Sequence, residues 1–165
     1  MQPADEGGGV AAAQLSQQLQ RILVPVNGSP LDDEMVRLAA GMVKRLGAQL
    51  IIVYVIVVRR TLPLDVELED EVRKGEEVLD RAERAAAEYQ IEVTSELLQA
   101  RATGPAIVDE ATERKVDLIV MGVTYRKRFG DFYLGQTTPY VLKNAPCRVL
   151  VVREPPPAVV PAAPP

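Results

Sequence analysis

Residues 50–57 read LIIVYVIV, a run in which no side chain is charged and no residue favours a turn. Valine and isoleucine dominate it, and such β-branched residues favour extended backbone. A strand that is apolar at every position, and not only at every second one, is covered on both faces. The run therefore predicts a strand of a parallel sheet that has helices above and below it.

On both sides of this run, strand and helix patterns alternate along the chain. Apolar residues recur at three- and four-residue spacing over residues 35–46 and 68–89, which predicts helices with one buried stripe. The longer stripe also resembles a coiled-coil seam, but Gly75 and its alanines favour close packing against a sheet. The predicted order is strand 22–26, helix from Asp32 to Gly47, strand 50–57, helix 68–89, strand 91–97, helix from Gly104-Pro105, strand 117–121, loop, helix 136–144 and strand 148–153.

This order predicts an α/β fold in three layers, with a parallel sheet between two layers of helices. In such sheets, ligands bind outside the carboxyl ends of the strands, where the strand order reverses. Two segments meet that condition. They are residues 25–29 after the first strand and the residues from Met121 onward.

Composition excludes several kinds of chemistry. The sequence has no histidine and one cysteine, which argues against histidine-based acid–base catalysis, zinc sites and an internal disulfide. A net charge of −4 argues against nucleic-acid binding. The longest apolar run, residues 50–58, is far shorter than the roughly 20 residues of a membrane helix. We therefore expect a cytoplasmic protein that is neither an enzyme nor embedded in a membrane.

The two ends of the chain differ from the part between them. Residues 1–20 are rich in Gly, Ala and Gln, which predicts a flexible arm, although Leu15 and Leu19 at helical spacing allow a short docked turn. Residues 155–165 contain proline and small apolar residues, which predicts a disordered tail or, alternatively, a ligand for a proline-binding partner. The predicted domain spans residues 21–154.

Four segments carry a resemblance to a known family. They are ILVPVNGS at residues 22–29, DLIVMG at 117–122, Leu134-Gly135, and NAPCRVLVVR at 144–153. In this order and spacing they resemble the universal stress protein family. The resemblance implies a five-stranded parallel sheet of the Rossmann-like, adenine nucleotide alpha hydrolase-like type. It also implies a homodimer, which we expect to form through the last strand, Arg148–Arg153, since an apolar edge strand invites pairing.

One subgroup of that family binds ATP through a glycine motif, and this chain has a degenerate form of it. Gly122 and Gly135 stand at the first and third glycine positions, whereas Tyr125 replaces the second glycine and Gln136 replaces a Ser or Thr. Asn27 replaces the usual aspartate of the first loop. The resemblance implies a nucleotide-binding set of Pro25, Val26, Asn27, Val55, Met121, Gly122, Tyr125, Gly135, Gln136, Thr137 and Thr138.

These departures predict a weakened site. Glycine lets backbone N–H groups approach a phosphate, and a tyrosine at position 125 limits that approach. Thr137 and Thr138 offer hydroxyl groups in place of the one lost at Gln136. The basic run Arg126-Lys127-Arg128 either attracts an anion or is a solvated loop, and the neighbouring aromatic residues either cover a ligand or pack on the sheet.

Two functions from different classes remain open. The first is a non-catalytic, cytoplasmic binding module for an adenine nucleotide, ATP or AMP, with Mg²⁺ accompanying ATP. The alternative is a dimeric interaction or regulatory domain that binds no nucleotide and partners a membrane transporter. An ATP hydrolase is disfavoured, because no base or cluster of metal ligands is evident.

Overall fold

The computed structural model describes residues 13–14 and 17–158. Most of the predicted arm and the end of the predicted tail lie outside these residues. The elements are β1 (Arg21–Val26), α1 (Asp32–Leu46), β2 (Gln49–Val57), α2 (Glu69–Ala87), β3 (Val93–Ala100), α3 (Thr103–Glu113), β4 (Leu118–Val123), β5 (Lys127–Arg128), β6 (Asp131–Phe132), α4 (Thr137–Asn144) and β7 (Arg148–Arg153).

Five strands form the main sheet in the order β3-β2-β1-β4-β7, and every neighbouring pair is parallel. The predicted five-stranded parallel sheet is therefore confirmed. The strand that the run 50–57 predicted is β2, which pairs with β1 on one side and β3 on the other.

Side chains alternate between two hydrophobic cores on opposite faces of the sheet. Ile22 and Val24 of β1 belong to the core beneath α1 and α2, whereas Leu23 belongs to the core that includes residues of α3 and α4. Because a strand points successive side chains to opposite faces, an entirely apolar strand supplies both cores at once. The predicted three-layer α/β architecture is confirmed.

The segment after β4, predicted as a loop, contains a short antiparallel hairpin made of β5 and β6. Its two turn residues, Phe129 and Gly130, both have positive φ angles, 53° and 86°. Tight two-residue hairpin turns require this backbone, for which Asn-Gly is the usual sequence signal. The Phe-Gly pair lacks that signal, and the hairpin was missed for this reason.

The residues that lead into β1 pack against the domain. Leu19 is only 8% exposed and belongs to the core beneath α1 and α2. The backbone N–H groups of Gln20 and Arg21 donate to Asp117 Oδ2, each at 2.9 Å. Within the described residues, no helix combines the length and the apolar character needed to cross a membrane.

Candidate functional site

A crevice of about 590 Å³ opens at the carboxyl ends of β1 and β4. The chain places β2 and β3 on one side of β1 and then crosses to build β4 on the other side. The strand order therefore reverses between β1 and β4, and loops leaving the two strands diverge around an open space. The crevice lies at the position that the sequence predicts for a ligand.

Ten of the eleven predicted site residues line this crevice. They come from β1 and its following loop, from β2, from β4, and from the start of α4. The ten are Pro25, Val26, Asn27, Val55, Met121, Gly122, Gly135, Gln136, Thr137 and Thr138. Tyr125 is the exception. The proximity of the ten is a fact of the fold, whereas their binding of a nucleotide stays a prediction.

The loop from β1 to α1 is held by side-chain oxygens. Asn27 Oδ1 accepts a hydrogen bond from the Ser29 N–H at 2.9 Å. Asp32 Oδ2 accepts from the N–H groups of Asn27 at 3.1 Å and Gly28 at 2.7 Å. The loop thus keeps its shape through contacts within itself, and the Asn27 oxygen has a structural partner.

Asp32 lines the crevice and was not predicted as a site residue. It is 7% exposed, and its burial raises its pKa above the usual value of 3.8, against the opposing effect of the two backbone N–H groups and of Arg81. Arg81 lies 3.9 Å from Asp32 and 3.0 Å from Asp33. In the sequence, an acid at position 32 fits the first turn of a helix. That pattern does not indicate that the side chain also lines the crevice and holds the loop.

Gly122 is required by packing. A Cβ atom at this position would lie 2.7 Å from Leu31 Cδ2 and 2.8 Å from Met35 Cγ. Those distances are shorter than carbon atoms tolerate, so glycine lets the start of α1 lie against the end of β4. Gly122 thereby brings the two loops together at the crevice.

The start of α4 faces the crevice with its hydrogen-bonding groups free. The N–H groups of Thr137 and Thr138 begin the helix and have no partner within it, no side chain caps them, and the third residue, Pro139, has no N–H. Gly135 has a φ of 75°, and a Cβ atom there would meet no atom within 4 Å. Thr138 is only 5% exposed, yet its hydroxyl makes no hydrogen bond to any residue in the described part of the chain. These groups can donate to an anion.

Tyr125 lies outside the crevice and anchors the hairpin. Its backbone N–H donates to Glu154 Oε1 at 2.6 Å, and its ring stacks on Phe132 with centroids 5.5 Å apart. The Arg153 guanidinium lies 5.3 Å from the centre of the Tyr125 ring and 5.7 Å from that of Phe132. The hairpin is therefore attached to the end of β7 through these aromatic and cationic contacts.

A model of the universal stress protein family matches residues 18–153, which is most of the chain. The chain belongs to the universal stress protein family. The predicted resemblance is confirmed.

Relatives within the universal stress protein family agree over nearly the whole domain. A universal stress protein of Methanocaldococcus jannaschii is 32% identical over 142 residues, covering 82% of this chain and 83% of the relative. A solved universal stress protein of Archaeoglobus fulgidus superposes with a TM-score of 0.69 at 24% identity, covering 81% of this chain and 98% of the other. A structure of the universal stress protein from Archaeoglobus fulgidus in complex with dAMP gives a TM-score of 0.64 at 22% identity, with 81% and 97% covered.

Metal ligands are not gathered at this crevice in the way that a dedicated metal site requires. Across residues 13–14 and 17–158, no three or more His, Cys, Asp or Glu residues are placed to hold a metal ion. The crevice of this universal stress protein instead offers backbone N–H groups, threonine hydroxyls and one arginine, Arg126. Such groups bind anions through hydrogen bonds and charge.

Proposed function

We propose that this universal stress protein is a binding module that takes up an adenine nucleotide, ATP or AMP, in the crevice between β1 and β4. The observation that carries the proposal is the uncapped start of α4, where Thr138 and free N–H groups line the crevice. The positive end of a helix dipole adds to the attraction for phosphate. The predicted residues of β1, β2 and β4 that line the crevice would then surround the nucleoside.

The size and lining of the crevice support this proposal. Its volume of about 590 Å³ falls in the usual range for small-molecule sites, roughly 300–1,000 Å³. Pro25, Val26 and Val55 offer an apolar wall suited to a flat base, while Asn27 lies beside them. A structural relative bound to dAMP adds support at the level of the fold.

We propose further that binding occurs without catalysis and in the cytoplasm. The absence of histidine from the sequence removes the most common general base, and its single cysteine cannot form an internal disulfide. Mg²⁺, if present, would enter on the phosphates of ATP.

Thermal unfolding tests nucleotide binding. Millimolar ATP or AMP, with and without Mg²⁺, should raise the unfolding midpoint by several degrees, because a ligand at 100 times its Kd stabilises a fold by about 2.7 kcal/mol. Thr138→Val removes one hydroxyl at nearly constant volume and should reduce the shift. Thr94→Val, on β3 at the opposite end of the sheet, is the matched control and should leave it unchanged. A wild-type midpoint that neither nucleotide moves would refute the proposal.

A second candidate function is a dimeric interaction domain, which one observation favours. β7 pairs only with β4 among the described strands, so its outer edge is open, and Leu150 on it is 37% exposed. We propose that Arg148–Arg153 is the interface of a homodimer, a surface that is also open to a partner such as a membrane transporter. Light scattering at tens of micromolar should report a dimer that Leu150→Lys weakens and Leu38→Lys, on α1, does not. A monomer in the wild type would contradict this interface.

A further inference from the structure

The hairpin contributes a cation to the crevice. Among the described residues that line the crevice, Asp32 and Arg126 are the two with charged side chains. Asp32 already accepts two backbone hydrogen bonds and lies near Arg81. Arg126 is therefore the lining residue whose charge is available to a ligand.

Arg126 has no carboxylate partner. Its side chain is exposed and makes no ion pair with any residue that the structure describes. Arg37, Arg73, Arg81 and Arg114 each lie within ion-pair distance of an acid. The other described arginines make no ion pair, and Arg126 is the one among them that lines the crevice. An arginine without a partner at the edge of a crevice can form charge-assisted hydrogen bonds with an anion that enters.

The position of Arg126 is set by the hairpin around it. Its carbonyl oxygen accepts a hydrogen bond from the Tyr133 N–H at 2.9 Å, and Tyr133 also lines the crevice. The preceding residue, Tyr125, is anchored by Glu154, Phe132 and Arg153 as described above. The tyrosine that replaces a glycine of the family motif thus fixes the backbone directly before the free arginine.

We infer that Arg126 binds the outer phosphates of a nucleotide and makes the crevice selective for nucleoside polyphosphates over monophosphates. This inference rests on the function proposed above. Thr138 is buried at the start of α4, whereas Arg126 is exposed on the hairpin. The buried donors are therefore positioned for the phosphate next to the nucleoside, and the exposed cation for the phosphates that extend toward solvent.

Calorimetric titration of the full chain with ATP and with AMP tests the inference, using wild type, Arg126→Gln and Lys127→Gln. Losing one charge-assisted contact should weaken ATP binding by roughly 10- to 100-fold, with little effect on AMP. Lys127 is the matched control, because it is an exposed neighbouring cation that does not line the crevice. Circular dichroism and the midpoint without ligand check that each variant folds.

The outcomes separate the inference from the proposed function. Wild type that binds neither nucleotide refutes both. Wild type that binds ATP, with Arg126→Gln binding it equally well, overturns the role of Arg126 and leaves the proposed function intact. An equal loss in Arg126→Gln and Lys127→Gln indicates general attraction by the basic run and also overturns the assignment. Loss of ATP affinity confined to Arg126→Gln supports it.

Discussion

At the scale of single residues, the two motif glycines are retained for different physical reasons. Gly122 lies against the side chains of Leu31 and Met35, which a methyl group at this position would force to shift. Gly135 has ample room but a left-handed backbone, which side chains with a Cβ rarely adopt. Retention of these glycines therefore reflects the architecture of the crevice as well as any ligand.

Replacing Gly122 with alanine tests the packing argument. Overpacking at this contact should lower the free energy of unfolding by about 1–3 kcal/mol. Gly41→Ala is the control, since a Cβ there would lie 3.5 Å from Tyr89, an ordinary contact. Within helix α1 that change should raise the free energy of unfolding by up to about 1 kcal/mol. Urea denaturation measures both values, and equal stability of Gly122→Ala and wild type would contradict the close contact.

Residue-scale prediction from sequence succeeded where the signal was local. The position of Gly122 at the end of a strand and of Thr138 at the start of a helix follows from periodicity and loop signals. Tyr125 was different, because it contacts Phe132 and also Arg153 and Glu154, which lie close in space but almost 30 residues later in the sequence. No spacing rule relates position 125 to position 154, so its packing required the fold itself.

At the scale of elements, the hairpin of β5 and β6 is held by contacts that its two short strands do not provide themselves. An isolated two-stranded ribbon is marginally stable in water. The cation–π contacts from Arg153 to Tyr125 and Phe132 connect it to β7. The hairpin's order should therefore depend on Arg153.

Arg153→Gln should accelerate hydrogen exchange of the Tyr133 amide, which bonds to Arg126. Each exposed cation–π contact is worth about 0.5–1 kcal/mol, and the change removes two of them, so we expect a roughly 5- to 30-fold increase in rate. Arg148→Gln removes a cation from the other end of the same strand and should leave the rate unchanged. Exchange detected residue by residue by NMR makes the comparison, and an unaltered rate in Arg153→Gln would exclude the anchor.

At the scale of the whole molecule, the boundary of the folded unit extends beyond what composition indicated. The sequence places the start of the domain at residue 21, because the glutamines around Leu19 and the Gly- and Ala-rich residues before them show no strong periodicity. In the structure, Leu19 is buried, and Gln20 donates to Asp117. Leu15 and Leu19 at helical spacing allow a short docked turn there, but two apolar residues give too weak a periodic signal to decide between docking and a flexible arm.

We propose that residues outside 18–154 contribute little to folding. A shortened variant spanning 18–154 should retain the wild-type free energy of unfolding within about 0.5 kcal/mol, because the removed residues have little apolar surface to bury. Leu19→Ala in that variant should cost about 1.5–3 kcal/mol, the value of a buried leucine. Leu64→Ala, at an exposed position, is the control. A large loss on shortening would show that an end of the chain docks.

The buried carboxylate of Asp32 has a consequence for ligand binding. Its pKa already lies above 3.8 because it is buried, with Arg81 and Asp33 the charged groups beside it. A phosphate in the same crevice would disfavour the ionised form further and raise that pKa again. In the pH range just above the pKa of Asp32, binding would then draw protons onto this carboxylate, and affinity should increase as pH falls through that range. Calorimetry in two buffers of different ionisation enthalpy measures this uptake, and Asp32→Asn should reduce it to the contribution of the phosphate groups themselves. The amount of nucleotide bound by such a protein would then depend on both the nucleotide concentration and the pH.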